Sequence, residues 1–292
     1  MNDREKMILE KLDAARNAYD KQNFEKAIEL YRELAALLKD DPENLAVIHI
    51  ELGWCYYQNK QYEQAIGMFR EALRSESLND LQRFDLNRLL GFSYEMLRQP
   101  TKAAHFLEKA LEIGIPEKEK RFTYFELGKV LFSDGHPIEA EFYLSKAEKL
   151  FDESEKDYLV ALKYYLGFAE FFQKRYENAR NQFDFIVQNA TDNKIKAGGY
   201  FGLAHLHYQN KEFQALVDIC EKILVLDEEF YDKESLGYFL ASAYAELNRK
   251  EELEAVLLEM ERQYPNGRFS TQYPRLREAL KSGFDETELP KN

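Results

Sequence analysis

The chain has 292 residues, of which 45% are hydrophobic, and its formal net charge at pH 7 is −13. This charge disfavours a nucleic-acid surface, because phosphate binding needs concentrated lysine and arginine, and the sequence has no basic cluster. No apolar run approaches the roughly twenty residues of a membrane-spanning helix, and the charged amino-terminal stretch lacks a signal-peptide core. The expected location is the cytoplasm, unless a leader preceded the sequence given.

A small residue followed twelve positions later by a second apolar residue recurs seven times along the chain. The first member is always Gly or Ala, and successive first members are 37 to 39 residues apart. Two antiparallel helices can cross closely only where bulky Cβ substituents are absent, so each pair marks the contact point of a helical hairpin. The pairs are Ala15 and Ala27, Gly53 and Ala65, Gly91 and Ala103, Gly128 and Ala140, Gly167 and Ala179, Ala204 and Leu216, and Ala241 and Leu253.

The hairpin pattern is clearest at residues 53–73. In its second half, Tyr62, Ala65 and Phe69 recur at three- and four-residue steps, as one face of an α-helix requires. The polar residues between Gly53 and this second helix predict a tight turn around Lys60. The other repeats restate this pattern with substitutions, so the chain is predicted to be a helical repeat array.

Four dipeptides place leucine before the small residue of the first helix: Leu52-Gly53, Leu90-Gly91, Leu127-Gly128 and Leu166-Gly167. Together with the alanine and aromatic positions of the second helices, they resemble the tetratricopeptide repeat family over about residues 8–265. The interval of 37 to 39 residues exceeds the roughly 34 of that family. The resemblance implies an all-α, right-handed superhelical solenoid of about seven hairpins plus a C-terminal capping helix.

A solenoid grows by stacking, so we expect a single domain over residues 1–283. The final helix is predicted at 273–282, followed by a disordered tail at 284–292. The repeats are predicted at about 8–42, 44–78, 82–116, 119–152, 156–191, 195–229 and 232–265.

Two features depart from the repeat pattern. Glu170 occupies a position where three other repeats have tyrosine. We expect the helix to rotate so that this carboxylate reaches solvent; if it is buried instead, it needs a partner. Gly198, Gly199 and Gly202 fall in one helix, which is therefore predicted to be the least stable of the array.

The sequence predicts no enzyme, because it lacks a phosphate-binding glycine loop, a nucleophile elbow, an HExxH motif and a CxxC pair. His205 and His207 are two residues apart on different helix faces, so no shared metal is expected. His205 is expected to face outward and His207 to pack. Cys55 and Cys220 lie more than four repeats apart, which predicts two reduced cysteines. No cofactor or metal is predicted.

The first helices of such arrays line a concave groove, and here their predicted groove face is aromatic through repeats two to six. Half of these aromatics have a structural role by this interpretation; Trp54, Phe92, Phe168 and Phe172 are the predicted binding anchors. Lys129 is the only charged residue predicted among the aromatic groove residues of the first helices of repeats four and five. The predicted partner-binding residues are Trp54, Tyr57, Arg88, Phe92, Phe125, Lys129, Phe132, Tyr164, Phe168, Phe171, Phe172, His205 and Tyr208.

Family members that bind acidic C-terminal peptides carry Lys and Asn on this face. The corresponding positions here are Leu12, Arg16, Glu51, Asp85 and Leu89, so that carboxylate clamp is absent. The resemblance therefore implies a non-catalytic protein–protein interaction scaffold or adaptor for an apolar or aromatic segment, extended or helical. The alternative is a structural, self-assembling homo-oligomer in which a terminal repeat or tail fills another molecule's groove. Neither interpretation predicts a nucleic-acid partner or an integral membrane segment.

Overall fold

The computed structural model describes residues 3–282, which contain fifteen α-helices and no strand. Backbone packing divides the chain into two compact units, unit 1 (Met1–Phe151) and unit 2 (Asp152–Asn292). The predicted all-α helical repeat with seven hairpins and a final helix is confirmed. The repeat limits and the single continuous solenoid stay predictions, and the tail at 284–292 lies outside the described residues.

Unit 1 contains four helical hairpins, and side chains cap several of their helices. Asp41 accepts a hydrogen bond from the backbone N–H of Asn44, and Asn79 forms a reciprocal capping box with Gln82. A 3-10 turn, Glu117–Lys120, leads into the fourth hairpin. The hairpins are α1 (Asp3–Asp20) with α2 (Phe24–Leu37), α3 (Pro42–Gln58) with α4 (Tyr62–Leu73), α5 (Asp80–Met96) with α6 (Pro100–Leu111), and α7 (Arg121–Ser133) with α8 (Pro137–Glu148).

Unit 2 contains three hairpins and the last helix. Asp192 and Asp232 cap the first helices of the sixth and seventh hairpins by accepting backbone hydrogen bonds. A 3-10 turn, Ser270–Gln272, precedes the last helix, which packs on the seventh hairpin. The helices are α9 (Lys156–Phe172) with α10 (Tyr176–Asn189), α11 (Asn193–Gln209) with α12 (Phe213–Leu226), α13 (Lys233–Glu246) with α14 (Lys250–Gln263), and α15 (Tyr273–Ser282).

Each hairpin turn places one residue in the left-handed backbone region. In the second hairpin Lys60 has φ of 59°, and the N–H of Gln61 donates to the carbonyl of Tyr56 at 2.8 Å. This six-to-one bond is the Schellman closure of a helix C-terminus. Glycine favours this conformation, yet only one of the seven turns uses it. The seven residues are Gln22, Lys60, Arg98, Gly135, Lys174, Lys211 and Asn248.

The glycines of the first helices make room for a large side chain as well as for a close backbone. A Cβ on Gly53 would lie 2.4 Å from the ring of Phe69. On Gly128 it would lie 2.6 Å from Cγ of Leu144 and 3.2 Å from the carbonyl oxygen of Ala140. The residue sixteen positions later thus fills the space that the glycine leaves, in addition to the predicted contact twelve positions later.

Two of the three glycines in α11 have a packing reason. A Cβ on Gly199 would lie 2.9 Å from Ile186, and one on Gly202 would lie 2.3 Å from the ring of Phe183. Both contacts are with α10, so these glycines allow α10 and α11 to approach closely. Gly198 is less constrained, with its nearest neighbour 3.5 Å from the added Cβ. The low stability of α11 stays a prediction.

Glu170 is buried, with 6% of its surface exposed, so the expected rotation of this residue toward solvent is wrong. Helices α10 and α11 both pack against α9, the helix that carries Glu170. The side chain of Gln182 on α10 donates a hydrogen bond to Oε2 of Glu170 at 3.2 Å. The carboxylate therefore meets the second expectation, burial with a polar partner.

Candidate functional site

A surface cleft in unit 1 lies between α3 and α5, and it brings together three of the predicted binding residues, Trp54, Arg88 and Phe92. Its volume is about 390 Å³. We call it the α3–α5 cleft. It is lined by Val47, Ile50, Glu51, Trp54, Gln82, Asp85, Leu86, Arg88, Leu89 and Phe92.

Trp54 forms one wall of the cleft and is held by two other rings. Its indole makes edge contacts with Tyr57 at 5.8 Å and with Phe69 at 6.5 Å between ring centroids. Tyr57 in turn packs against Tyr62 of α4 at 5.4 Å. Burial raises the pKa of Tyr57, and this phenol therefore stays neutral. The half-buried indole is thus fixed in orientation while it lines the cleft.

Arg88 forms the opposite wall together with Phe92. Its guanidinium donates from Nη1 to Oδ1 of Asp85 at 3.0 Å. It also lies over the rings of Phe84 and Phe92, 5.2 and 5.5 Å from their centroids. Its Nε is buried and has no hydrogen-bond partner within residues 3–282. The guanidinium is therefore held as a flat surface against aromatic rings.

Further charges continue from α5 to α7. Lys129 forms an ion pair with Glu126 at 2.7 Å, and both side chains are largely buried. The prediction that Lys129 is the only charged residue among the aromatics of this face is therefore wrong for the fourth repeat, because Glu126 lies beside it. Burial raises the pKa of Glu95; Glu126 adds to this effect and Lys129 opposes it. The face is thus both charged and partly dehydrated.

Unit 2 contains a different arrangement, which we call the His205 cluster. The imidazole of His205 on α11 is half-buried among phenylalanine rings from three helices, so it does not face freely outward as predicted. Burial lowers the pKa of His205 to about 4, with a smaller opposing effect of Asp232 and a smaller effect of Arg268 in the same direction. The rings lie edge-on at centroid distances of 5.4 Å (Phe168), 5.5 Å (Phe171), 4.7 Å (Phe201) and 4.9 Å (Phe239).

Two predicted groove residues are core residues instead. Phe168 is only 6% exposed, and its ring lies 4.9 Å from that of Phe183 on α10. Phe125 is also 6% exposed, with its ring 6.4 Å from that of Phe151. The prediction that Phe168 is an exposed anchor is therefore wrong. Its helix, α9, packs against both α10 and α11, and its ring contacts Phe183 of α10 and Phe201 of α11.

The other predicted residues keep some exposure. Phe172 is 60% exposed at the end of α9, beside a half-buried Phe171. Tyr208 is half-buried, stacks on Phe239 at 5.1 Å and shares a hydrogen bond of 3.1 Å with the hydroxyl of Tyr238. Tyr164 on α9 and Phe132 on α7 are also half-buried.

Loop residues that the helical pattern could not place cover this side of unit 2. Tyr231, from the segment between α12 and α13, hydrogen-bonds the hydroxyl of Tyr164. Phe269, from the segment before α15, stacks on Tyr238 with 4.2 Å between centroids and 4° between planes. Arg268 binds Asp232 and fixes that segment. In the sequence, only their aromatic side chains distinguished Tyr231 and Phe269 from other loop residues.

The comparisons agree with this architecture. Residues 8–75 match the family model described as the tetratricopeptide repeat. The chain therefore contains tetratricopeptide repeats in this region. The resemblance drawn from the repeat spacing is thus confirmed, and among curated proteins none matches this tetratricopeptide repeat protein significantly in sequence.

Solved structures with the same fold cover most of the chain. The apo form of RapI aligns with a TM-score of 0.69 at 14% identity, over 94% of this chain and 82% of that chain. The C-terminal part of a TPR repeat-containing protein from Cytophaga hutchinsonii aligns with a TM-score of 0.65 at 17% identity, over 92% of this chain and 99% of that chain. YrrB, a tetratricopeptide repeat protein with an unusual peptide-binding site, aligns with a TM-score of 0.52 at 22% identity, over 67% of this chain and 96% of that chain. At these identities the likeness concerns the fold.

The described part of this tetratricopeptide repeat protein shows no metal-binding group and no membrane span. Residues 3–282 contain no cluster of three or more His, Cys, Asp or Glu side chains suited to a metal ion. They also contain no helix that combines the length and hydrophobicity needed to span a bilayer. Cys55 and Cys220 are free and buried, and burial raises the pKa of each thiol to about 12.

Proposed function

We propose that this tetratricopeptide repeat protein is a non-catalytic interaction scaffold that binds an apolar or aromatic segment of a protein partner in the α3–α5 cleft. The observation that carries the proposal is the open cleft between Trp54 and Phe92. Binding sites are usually concave and lined by apolar and aromatic side chains, and a few such side chains contribute most of the binding energy of an interface. Nearby Val47 and Leu81 are 40% and 54% exposed, so the partner would bury further apolar surface.

The contrast with unit 2 supports the choice of this cleft. There the aromatic side chains of α9, α11 and α13 already contact one another, and Tyr231 and Phe269 cover part of them. A partner would gain less by covering side chains that are already buried. The exposed Phe172 is the one anchor predicted in unit 2 that could still bury a large area. The peptide-binding site named for YrrB gives this fold a precedent for such binding.

Trp54 is the single tryptophan of the chain, and its fluorescence reports directly on the cleft. Random displayed peptides would be selected on the full chain and then titrated against it, by fluorescence where Trp54 is present and by calorimetry for every variant. Trp54→Ala and Phe92→Ala should each weaken binding by about 2 kcal/mol, which is roughly thirtyfold. Leu258→Ala, which removes a 65% exposed leucine from α14, is the matched control. Equal losses in all three variants, or no loss in the cleft variants, would exclude this site.

Self-assembly remains the second candidate, because α8 exposes two apolar side chains four residues apart. Ile138 and Phe142 are 66% and 55% exposed, and they lie on one face of the helix. Light scattering over a range of concentrations tests it. A mass that rises with concentration, and that Phe142→Ala lowers, would favour a homo-oligomer; a constant monomer mass would remove this candidate.

A further inference from the structure

The α3–α5 cleft and the adjoining face of α7 carry more carboxylates than cations. The two cations are already paired within their own helices, Arg88 with Asp85 at 3.0 Å and Lys129 with Glu126 at 2.7 Å. The two remaining carboxylates, Glu51 and Glu95, form no ion pair within residues 3–282. The face therefore has a local excess of two negative charges. Its ionisable residues are Glu51, Asp85, Arg88, Glu95, Glu126 and Lys129.

Each of the two unpaired carboxylates lies one helical turn from an aromatic residue of the cleft, with Glu51 in the cleft lining and Glu95 beyond it toward α7. Glu51 lies three residues before Trp54 on α3, and Glu95 lies three residues after Phe92 on α5. Side chains three residues apart share one helix face, so each aromatic ring has one carboxylate beside it on its own helix. An aromatic ring and a carboxylate together suit a side chain that has both an apolar stem and a positive end.

Glu95 has a second reason to attract a cation. It is half-buried, and burial raises its pKa because a dehydrated carboxylate lacks the solvation that stabilises its charge. Lys129 offsets this only in part, since that ammonium is bound by Glu126. A cation brought by a partner would replace the solvation that Glu95 has lost.

Arg88 does not make the cleft a receptor for acidic groups. One of its terminal nitrogens is bound by Asp85, its Nε is buried, and its plane is covered by Phe84 and Phe92. A carboxylate of a partner would therefore compete with Asp85 for Nη1 and could not reach the buried Nε.

We propose that the α3–α5 cleft selects a cationic apolar segment, in which a lysine or arginine of the partner lies beside aromatic or aliphatic residues. The cation pairs with Glu51 in the cleft or with Glu95 on the adjoining face, and its aliphatic stem packs on Trp54 or Phe92. An acidic segment is repelled by the same carboxylates. This inference rests on the proposed function of the cleft and specifies the chemistry of its partner.

The first test is the composition of peptides selected from a random display library on the full chain. Only peptides that change Trp54 fluorescence and lose affinity in Phe92→Ala are counted as cleft ligands. Enrichment of Lys or Arg next to aromatic or aliphatic residues supports the inference. Enrichment of neutral or acidic cleft ligands overturns it and leaves the proposed function standing. If no selected peptide depends on Trp54 or Phe92, both are overturned.

The second test removes one carboxylate at a time. Glu95→Gln and Glu51→Gln preserve side-chain shape, and each should weaken a selected cationic peptide about tenfold. The same peptide with Gln in place of its basic residue should bind wild type and variants equally. Glu63→Gln, an exposed position on α4, changes the net charge identically and should leave the affinity within twofold.

The possible results of the second test are distinct. A loss with Glu63→Gln equal to that with Glu95→Gln would show that only net charge matters, and the inference would fail. Full affinity in Glu95→Gln and Glu51→Gln, combined with a loss in Phe92→Ala, would also overturn the inference but keep the cleft as the binding site. Far-ultraviolet circular dichroism of each variant excludes unfolding as the cause.

Discussion

Unit 1 and unit 2 are built from the same helical hairpin, but they use the aromatic residues of their first helices differently. In unit 1, Trp54 and Phe92 stand on either side of an open cleft with charged residues around it. In unit 2, Phe168 and its neighbours enclose His205, and loop residues lie over part of the remaining surface. An aromatic residue at a first-helix position therefore does not by itself indicate a binding surface.

The difference comes from what packs on each helix. Leu86 and Leu89 on α5 are buried aliphatic residues, and they leave space between α3 and α5 that larger rings would fill. On α9, α11 and α13 the equivalent space is occupied by phenylalanine rings from neighbouring helices. The first arrangement leaves aromatic surface for the proposed partner, and the second buries aromatic surface in the core.

The largest expected effect is that of Phe168→Ala in unit 2. Removing a buried ring that contacts α10 and α11 should lower the free energy of unfolding by about 4 kcal/mol. Trp54→Ala should cost clearly less, because the indole is only half-buried. Urea unfolding of both variants measures the difference. Equal losses of stability would remove the distinction between the two units.

The next effect concerns acid stability. The folded-state pKa of His205 is about 4, below its ordinary value of 6.5. Between these values the unfolded chain binds a proton that the folded chain does not, so this contribution to stability is lost as pH falls from about 6.5 to about 4. Its upper limit is about 3 kcal/mol.

His205→Phe removes this contribution, so the variant should lose less stability than wild type between pH 7 and pH 4. Urea unfolding at the two pH values measures it. In unit 1, burial lowers the pKa of His49 without enclosing it in rings, and His49→Phe is the matched control with a smaller expected effect. If His205→Phe loses as much stability as wild type between pH 7 and pH 4, burial of the His205 imidazole does not contribute to the acid sensitivity.

A smaller effect is expected where the two units are alike. Gly128→Leu in unit 1 and Gly202→Leu in unit 2 should each cost about 2 kcal/mol, because the new side chain would overlap Leu144 or Phe183. Gly67→Ala on α4 is the control, since a Cβ there meets nothing within 4 Å, and it should be neutral or stabilising. Thermal unfolding decides; an unchanged melting temperature for Gly128→Leu would contradict the close helix contact.

The smallest effect concerns the hairpin turns, which both units share. Lys60→Gly and Lys174→Gly should each stabilise the protein by about 0.5 to 1 kcal/mol, because both lysines have positive φ. Gly135→Ala should destabilise it by a similar amount, since its φ is 83°. Chemical unfolding compares the three, and a destabilising lysine-to-glycine change would mean that the side chain contributes more than the backbone strain.

Much of the fold could be predicted from the sequence. The interval of 37 to 39 residues between small residues located all seven hairpins, and the left-handed turn residues recur at the same interval. Close crossing of two helices excludes a Cβ branch, and one helix face repeats every three or four residues; both constraints act within about forty residues and are therefore visible locally.

The candidate site could be predicted only in part. The helical period placed Trp54, Arg88 and Phe92 on one face, and the structure joins them in one cleft. The same period placed Phe168 and His205 on such a face, but their burial depends on α10, α11 and α13. Glu170 is buried for the same reason, and Tyr231 and Phe269 come from loops that have no period. A sequence pattern assigns a residue to a face of its own helix, whereas the elements packed against that face decide whether it contacts water, a partner or the core.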